Sequence, residues 1–249
     1  MRVKLILFLI LINFGGVLAQ STTSSKGFYF NPHYALQLPH GDLSNRYKTF
    51  GSIGLGIDYK LKSNFLIGVD YDWYFGDAIN ESGTFSEITI DFGQIIDSDG
   101  NFSVVRLNIK GNYVTGNVGY LLNLPKDEPN SGIIFSLGAG WMQHKIDIIA
   151  SQNKIPQING EYEKGYDKLT YGVATRQFIG YQYLTTKNKV HLRAGIEANQ
   201  GFTQGRRTWD FNANSSGLTK RFDGTIALKV AIVVPVFTKD TGDEEFFID

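Results

Sequence analysis

Apolar and polar residues alternate with a period of two through most of the chain, the pattern of strands that hide one face from water. It is clearest over residues 65–75, where Phe65, Ile67, Val69, Tyr71, Trp73 and Phe75 alternate with Leu66, Gly68, Asp70, Asp72 and Tyr74. Residues 222–236 repeat it: Ile226, Leu228, Val230, Ile232, Val234 and Val236 share a face opposite Asp223, Thr225, Ala227, Lys229 and Ala231. Six further segments read the same way, at 27–38, 51–61, 112–122, 132–144, 168–184 and 189–202. Within 168–184 the alternation puts Gln177 on the apolar side, which predicts a bulge or a phase shift there.

Apolar faces this continuous need cover, from a second sheet or from lipid. The opposite faces are heavy in glycine, at Gly54, Gly56, Gly68, Gly119, Gly138, Gly140, Gly172 and Gly195, where a water-facing sheet would carry Lys, Glu and Thr. Small residues suit a crowded lumen. Lipid offers backbone groups no hydrogen-bond partner, so a strand-built span must close on itself. The predicted fold is therefore all-β, an eight-stranded antiparallel up-and-down transmembrane β-barrel with a side-chain-filled lumen.

The links between segments support that topology. Short links at 62–64, 123–131 and 185–188 alternate with long ones at 39–50, 76–111, 145–167 and 203–221. Membrane barrels carry short periplasmic turns and long outside loops on an even strand number. Both ends of the chain then face the periplasm. Aromatic rings favour the two edges of the apolar band: Tyr71, Trp73, Phe75 and Trp141 fall toward the outer edge, and Tyr120, Tyr181, Tyr183 and Phe237 toward the inner one.

The N-terminus adds an address. Arg2 and Lys4 precede an apolar run over 5–14 and a small-residue end, Val17-Leu18-Ala19, the layout of a cleaved signal peptide. Residues 1–19 are read as that signal, 20–237 as the barrel with four outside loops, and 238–249 as a short acidic periplasmic tail holding Asp240, Asp243, Glu244, Glu245 and Asp249. Without Arg2 and Lys4 the 24 basic residues become 22, against 24 acidic ones, a balance that argues against nucleic acid as a partner. There is no cysteine, hence no disulfide framework, thiolate metal site or lipid-bearing cysteine.

The signal ending Leu18-Ala19-Gln20, the eight alternating segments and the final Val233-Val234-Pro235-Val236-Phe237 resemble small outer-membrane β-barrel proteins of the Bacteroidota, the OmpA-like and PorT-like group. The resemblance covers essentially the whole chain after the signal and implies a Gram-negative outer-membrane location. Among PorT-like relatives it also implies a protein partner in the envelope or in secretion. One feature departs from the group: many members end on the aromatic residue of the last strand, whereas Phe237 is followed by the tail.

Candidate chemistry falls in three places. The inward face collects Asp58, Lys60, Asp70, Asp72, Arg176, Arg193, Glu197 and Lys229, which read as a charge network plugging the lumen, with a narrow conductance as the rival reading. In the fourth loop Arg206, Arg207, Lys220 and Arg221 flank Trp209, a set suited to phosphate and acyl groups of outer-membrane lipids, lipopolysaccharide included. A lipid-modifying hydrolase would need a Ser–His–carboxylate set, for which only His144 with Asp147, and Ser136 or Ser151, present themselves. No Gly-x-Ser-x-Gly elbow occurs, and His144 with Asp147 has no diagnostic metal spacing. No catalytic residue, metal or cofactor is assigned, and the favoured function is non-enzymatic contact through loops and turns. The loop at 76–111 predicts a hairpin with strands near 87–92 and 102–109 and its turn at 97–100.

Overall fold

Eight long strands form the wall of the computed structural model, which describes residues 26–80, 85, 94–124, 128–150, 155–185 and 190–238. They are β1 (Gly27–Gly41), β2 (Phe50–Lys60), β3 (Phe65–Gly76), β4 (Phe102–Asn123), β5 (Gly132–Ala150), β6 (Thr170–Tyr183), β7 (Leu192–Gly205) and β8 (Lys220–Ile232). Each pairs antiparallel with the next, and β8 pairs with β1, so the sheet closes as an eight-stranded barrel. A lap of cross-strand partners from Tyr29 passes Asp58, Gly68, Asn117, Gly138, Arg176, Asn199 and Thr225 and returns to β1 at Pro39, a stagger of ten residues. With roughly 3.3 Å of rise per residue and roughly 4.8 Å between strands, that stagger tilts the strands by about 40°. The 12 residues of β3 then climb about 30 Å, the thickness of bilayer hydrocarbon.

Alternation now has a physical meaning on every strand. Ile53, Leu55, Ile57, Ile67, Val69, Ile226, Leu228 and Val230 are exposed on the outer wall, while Ser52, Asp58, Asp72, Ala227 and Ala231 are buried inside. Rings gather at both edges of the wall. Tyr34 meets Phe75, Trp141 meets Tyr171, and Phe202 meets Phe222 at the loop end. At the turn end Phe28 meets Tyr59 and Phe65 meets Tyr120. Phe237 corrects one expectation: it points into the lower mouth and packs edge-on against Tyr29, because its odd position lies out of phase with the outward Val234 and Val236.

The lumen is stacked in three layers. Leu43, Tyr47, Phe50, Tyr74, Ile109, Tyr113, Met142, Ile146 and Ala174 form an apolar cluster under the loops. Tyr29, Leu66, Leu121, Ile134, Phe178, Leu184 and Val233 form another at the turn end. The charged residues lie between. Leu43 and Tyr47 reach the upper layer because helix α1 (Asp42–Arg46) folds the first loop over the mouth, entered through Gly41 at φ 62°, a left-handed conformation that glycine adopts without strain.

Two other expectations change. Gln177 does face outward, but without a bulge, since β6 pairs in unbroken register with β5 from Thr170 to Gln182 and with β7 from Thr170 to Tyr183. β4 begins at Phe102, ten positions before residue 112, so the loop strand and the barrel strand are one element that rises above the mouth with β5. Its partner Gln94–Ile96 returns through a turn in which Gly100 takes φ 81° and Asp97 Oδ1 accepts N–H bonds from Asp99 and Asn101. The signal at 1–19, the strand near 87–92 and the tail beyond Thr238 lie outside the described residues.

The seam between first and last strands has a gap. Its register runs from the pair His33–Ala231 up to Gly41–Asp223, and resumes below as Phe30–Val234 down to Gly27–Phe237. Between them sits Pro32, which has no N–H to give.

Candidate functional site

Seven of the eight inward charges join one network at mid-height, extended by residues not expected from sequence. Arg176 is central. Its Nη2 lies 2.5 Å from Asp72 Oδ2, its Nη1 3.7 Å from Asp70, its Nε 3.4 Å from Glu197, and its guanidinium covers the Tyr113 ring at 4.5 Å. Lys229 bridges Asp70 and Glu197 at 3.3 and 3.2 Å. Lower down, Arg193 holds Asp58 at 2.8 Å and donates twice to Gln182 Oε1. Lys60 is buried near the turn end, opposite Gly27 and Leu66. His33 sits between Asp72, 2.8 Å from its Nε2, and the Asn31 carbonyl, 3.0 Å from Nδ1. Asn31, Asn117 and Asn199 bond Asp58, Asp70 and Glu197.

The signal for these extra residues was in the sequence. His33, Asn31, Asn117, Asn199 and Tyr113 all stand in the inward phase of their strands. Glycine makes the room: a Cβ at Gly56 would come within 2.6 Å of Asp70 Oδ1, and those at Gly54, Gly68 and Gly138 would run into His33, Asp58 and Asn117. Four acids and three bases thus fill a space in which the remaining cavity, lined by Asp58, Asp70, Arg176, Arg193, Glu197 and Lys229, is about 30 Å³. That is room for a water or two.

His144 does not pair with Asp147. Three positions apart on one strand, they point to opposite faces, and Asp147 lies outside with Lys110 at 3.7 Å. His144 faces in, where its Nε2 is 3.0 Å from Asp223 Oδ2 and its Nδ1 3.3 Å from the Tyr47 hydroxyl. Thr203 Oγ1 and Arg221 also donate to Asp223. Burial pushes the Tyr47 hydroxyl well above its ordinary range, so it stays protonated. This Tyr47–His144–Asp223 chain fastens the first loop onto the mouth. Ser136 is on the same inward face eight positions below His144, and Ser151 lies outside the described residues.

Above the mouth the loops pack on one another. Phe85, Ile95, Ile155 and Ile158 form a small core, and the rings of Phe85, Tyr166 and Phe211 stack in sequence at 4.9 and 5.2 Å. Beside them opens a cleft of about 180 Å³ with Arg46, Lys168, Arg207, Trp209, Asp210 and Arg221 in its lining. Arg207 grips Asp167 through Nε at 2.8 Å and Nη2 at 2.5 Å, and that carboxylate raises its pKa further. Arg46 bridges the loops by donating to the Lys168 carbonyl and Thr170 Oγ1.

The five residues expected to contact lipid therefore separate. Arg207, Trp209 and Arg221 belong to the cleft. Arg206 turns to the outer wall and lies over the Tyr171 ring at 4.0 Å. Lys220 is exposed on that wall, opposite Gln204 and two positions above the outward Phe222.

No protein-family model matches the chain, and no curated protein matches it. Among solved structures it is similar to Neisserial surface protein A, with 14% identity over 83% of this chain and 96% of that one and a TM-score of 0.42. It is likewise similar to Ail, the attachment invasion locus protein of Yersinia pestis, in complex with the heparin analogue sucrose octasulfate, at 10% identity over 84% and 99% with a TM-score of 0.42. An active-site mutant of outer membrane phospholipase A from Escherichia coli aligns at 13% identity over 90% and 96%, with a TM-score of 0.22. Nothing about ligand or activity passes from likenesses this loose. The barrel rests on its own strand ladder.

Proposed function

We propose that the chain is a sealed, non-enzymatic barrel of a Gram-negative outer membrane that acts by contact through its outer face, with lipopolysaccharide phosphates among the groups it touches. The observation that carries this reading is the filled lumen: among the described residues an apolar layer lies at each end, and the cavity between them is only about 30 Å³. What the fold presents instead is its wall and its packed loops. In planar bilayers the purified protein is expected to give no stepwise conductance at neutral pH, and steady ion-selective steps would replace contact with transport.

Lipid contact is supported by Arg206 and Lys220, which stand on the outer wall just beyond the Tyr171, Phe202 and Phe222 rings. In an outer membrane, that height is where lipid phosphates meet the hydrocarbon, and Arg can hold a phosphate through two N–H groups. Arg206→Ala combined with Lys220→Ala should lower the lipopolysaccharide retained per barrel on gentle purification by severalfold, leaving the folded fraction intact. Retention equal to the parent protein would remove these residues from the reading.

A further inference from the structure

The outer wall is not uniform around the barrel. On β1, β2, β3 and β8 its outward residues at mid-height are bulky and apolar, as in Tyr34, Leu36, Ile53, Leu55, Val69, Leu228 and Val230. On β5, β6 and β7 the corresponding stretch sets Ala139, Thr175, Gln177, Ala198 and Gln200 beside the bulky Leu137 and Ile196. Gln177 is the central one of the seven outward positions of β6, between Tyr171, Val173 and Thr175 above and Ile179, Tyr181 and Tyr183 below.

These polar side chains form a closed ring. Thr175 Oγ1 donates to Gln200 Oε1 at 2.8 Å, Gln200 Nε2 donates to Gln177 Oε1 at 2.8 Å, and Gln177 Nε2 donates back to Thr175 Oγ1 at 3.4 Å. Each amide carries two N–H groups, and the ring uses one from each. The second N–H of each faces surroundings that, in a membrane, are hydrocarbon and accept nothing. Leaving them so is costly.

We propose that this face of β5–β7 is the seam of a two-fold homodimer within the membrane, built around Gln177 and Gln200. A partner here has to bring hydrogen-bonding groups to the middle of the bilayer, at one particular depth. A second copy does so automatically: a two-fold axis along the membrane normal keeps every residue at its own height, and an amide is both donor and acceptor. Ala139 and Ala198 let the walls approach. Beside Gln177 an apolar groove of about 520 Å³, floored by Val118, Leu137, Ile179 and Ile196, gives the second wall side chains to fill.

The chain has no cysteine, so one introduced thiol makes a clean reporter. Ala198→Cys and, on β2 four strands around the barrel from β6, the outward Ile53→Cys would be placed in lipid vesicles at a low protein-to-lipid ratio and mildly oxidised. Folding would be checked by the mobility shift of unheated barrels on gels. The seam predicts disulfide-linked dimer from Ala198→Cys, at least tenfold above Ile53→Cys, and a fall to the Ile53→Cys level when Gln177→Leu and Gln200→Leu are added. Equal crosslinking at both sites, none at either, or a dimer yield untouched by the two Leu substitutions would each overturn the proposal, the last leaving a face that lipid covers.

Discussion

Arg176→Met should destabilise the barrel by about 3–5 kcal/mol, the usual cost of removing one partner from a buried ion network. Arg176 contacts Asp70, Asp72 and Glu197, and its own side chain is 2% exposed. Without it, two fixed bases, Lys229 and Arg193, remain within the network against four carboxylates. Urea unfolding in lipid vesicles, followed by Trp fluorescence, reads the change. Adding Asp72→Asn to Arg176→Met should recover part of the loss, since it removes a stranded charge while keeping a partner for His33. A single variant as stable as the parent would mean that the lumen charges are hydrated rather than paired.

A charge on the outer wall should cost nearly as much for a different reason. Val69→Arg puts a guanidinium at the middle of the outer face of β3, between Ile67 and Tyr71, where hydrocarbon is deepest; about 2–4 kcal/mol is expected. Val230→Arg should behave alike on β8. The same residue introduced at Ser216, exposed in the fourth loop, should shift the unfolding midpoint little. Equal tolerance at all three would contradict a lipid-facing wall.

How much of this was legible beforehand depends on the range of the interaction. Period-two alternation assigns inside and outside locally, so Val69, Asp72, Arg176 and Lys229 could be placed strand by strand. The same parity separates Lys220 from Arg221: adjacent residues on a strand face opposite ways, and the outward Phe222 sets the phase. Pairing across the lumen is another matter. His144 meets Asp223, 79 positions away, and Arg193 meets Asp58, 135 away, contacts fixed by the ten-residue stagger rather than by any local spacing. The upper apolar lid escaped for a similar reason, since Leu43 and Tyr47 come from a loop with no period to read. Gln177 looked like an error in the pattern, and it became informative once Thr175 and Gln200 stood beside it.

The break at Pro32 bears on how the cylinder is made. First and last strands meet along two separate stretches, residues 33–41 with 223–231 above and 27–30 with 234–237 below. Both share a single register, so whichever stretch forms first leaves the other already aligned. Closure then proceeds as two short zippers, neither having to recruit the whole edge at once. In a chain whose folding ends when its own two edges find each other, that shortens the stretch of unpaired backbone which must be matched in one event, and it locates the point where the finished wall is easiest to part.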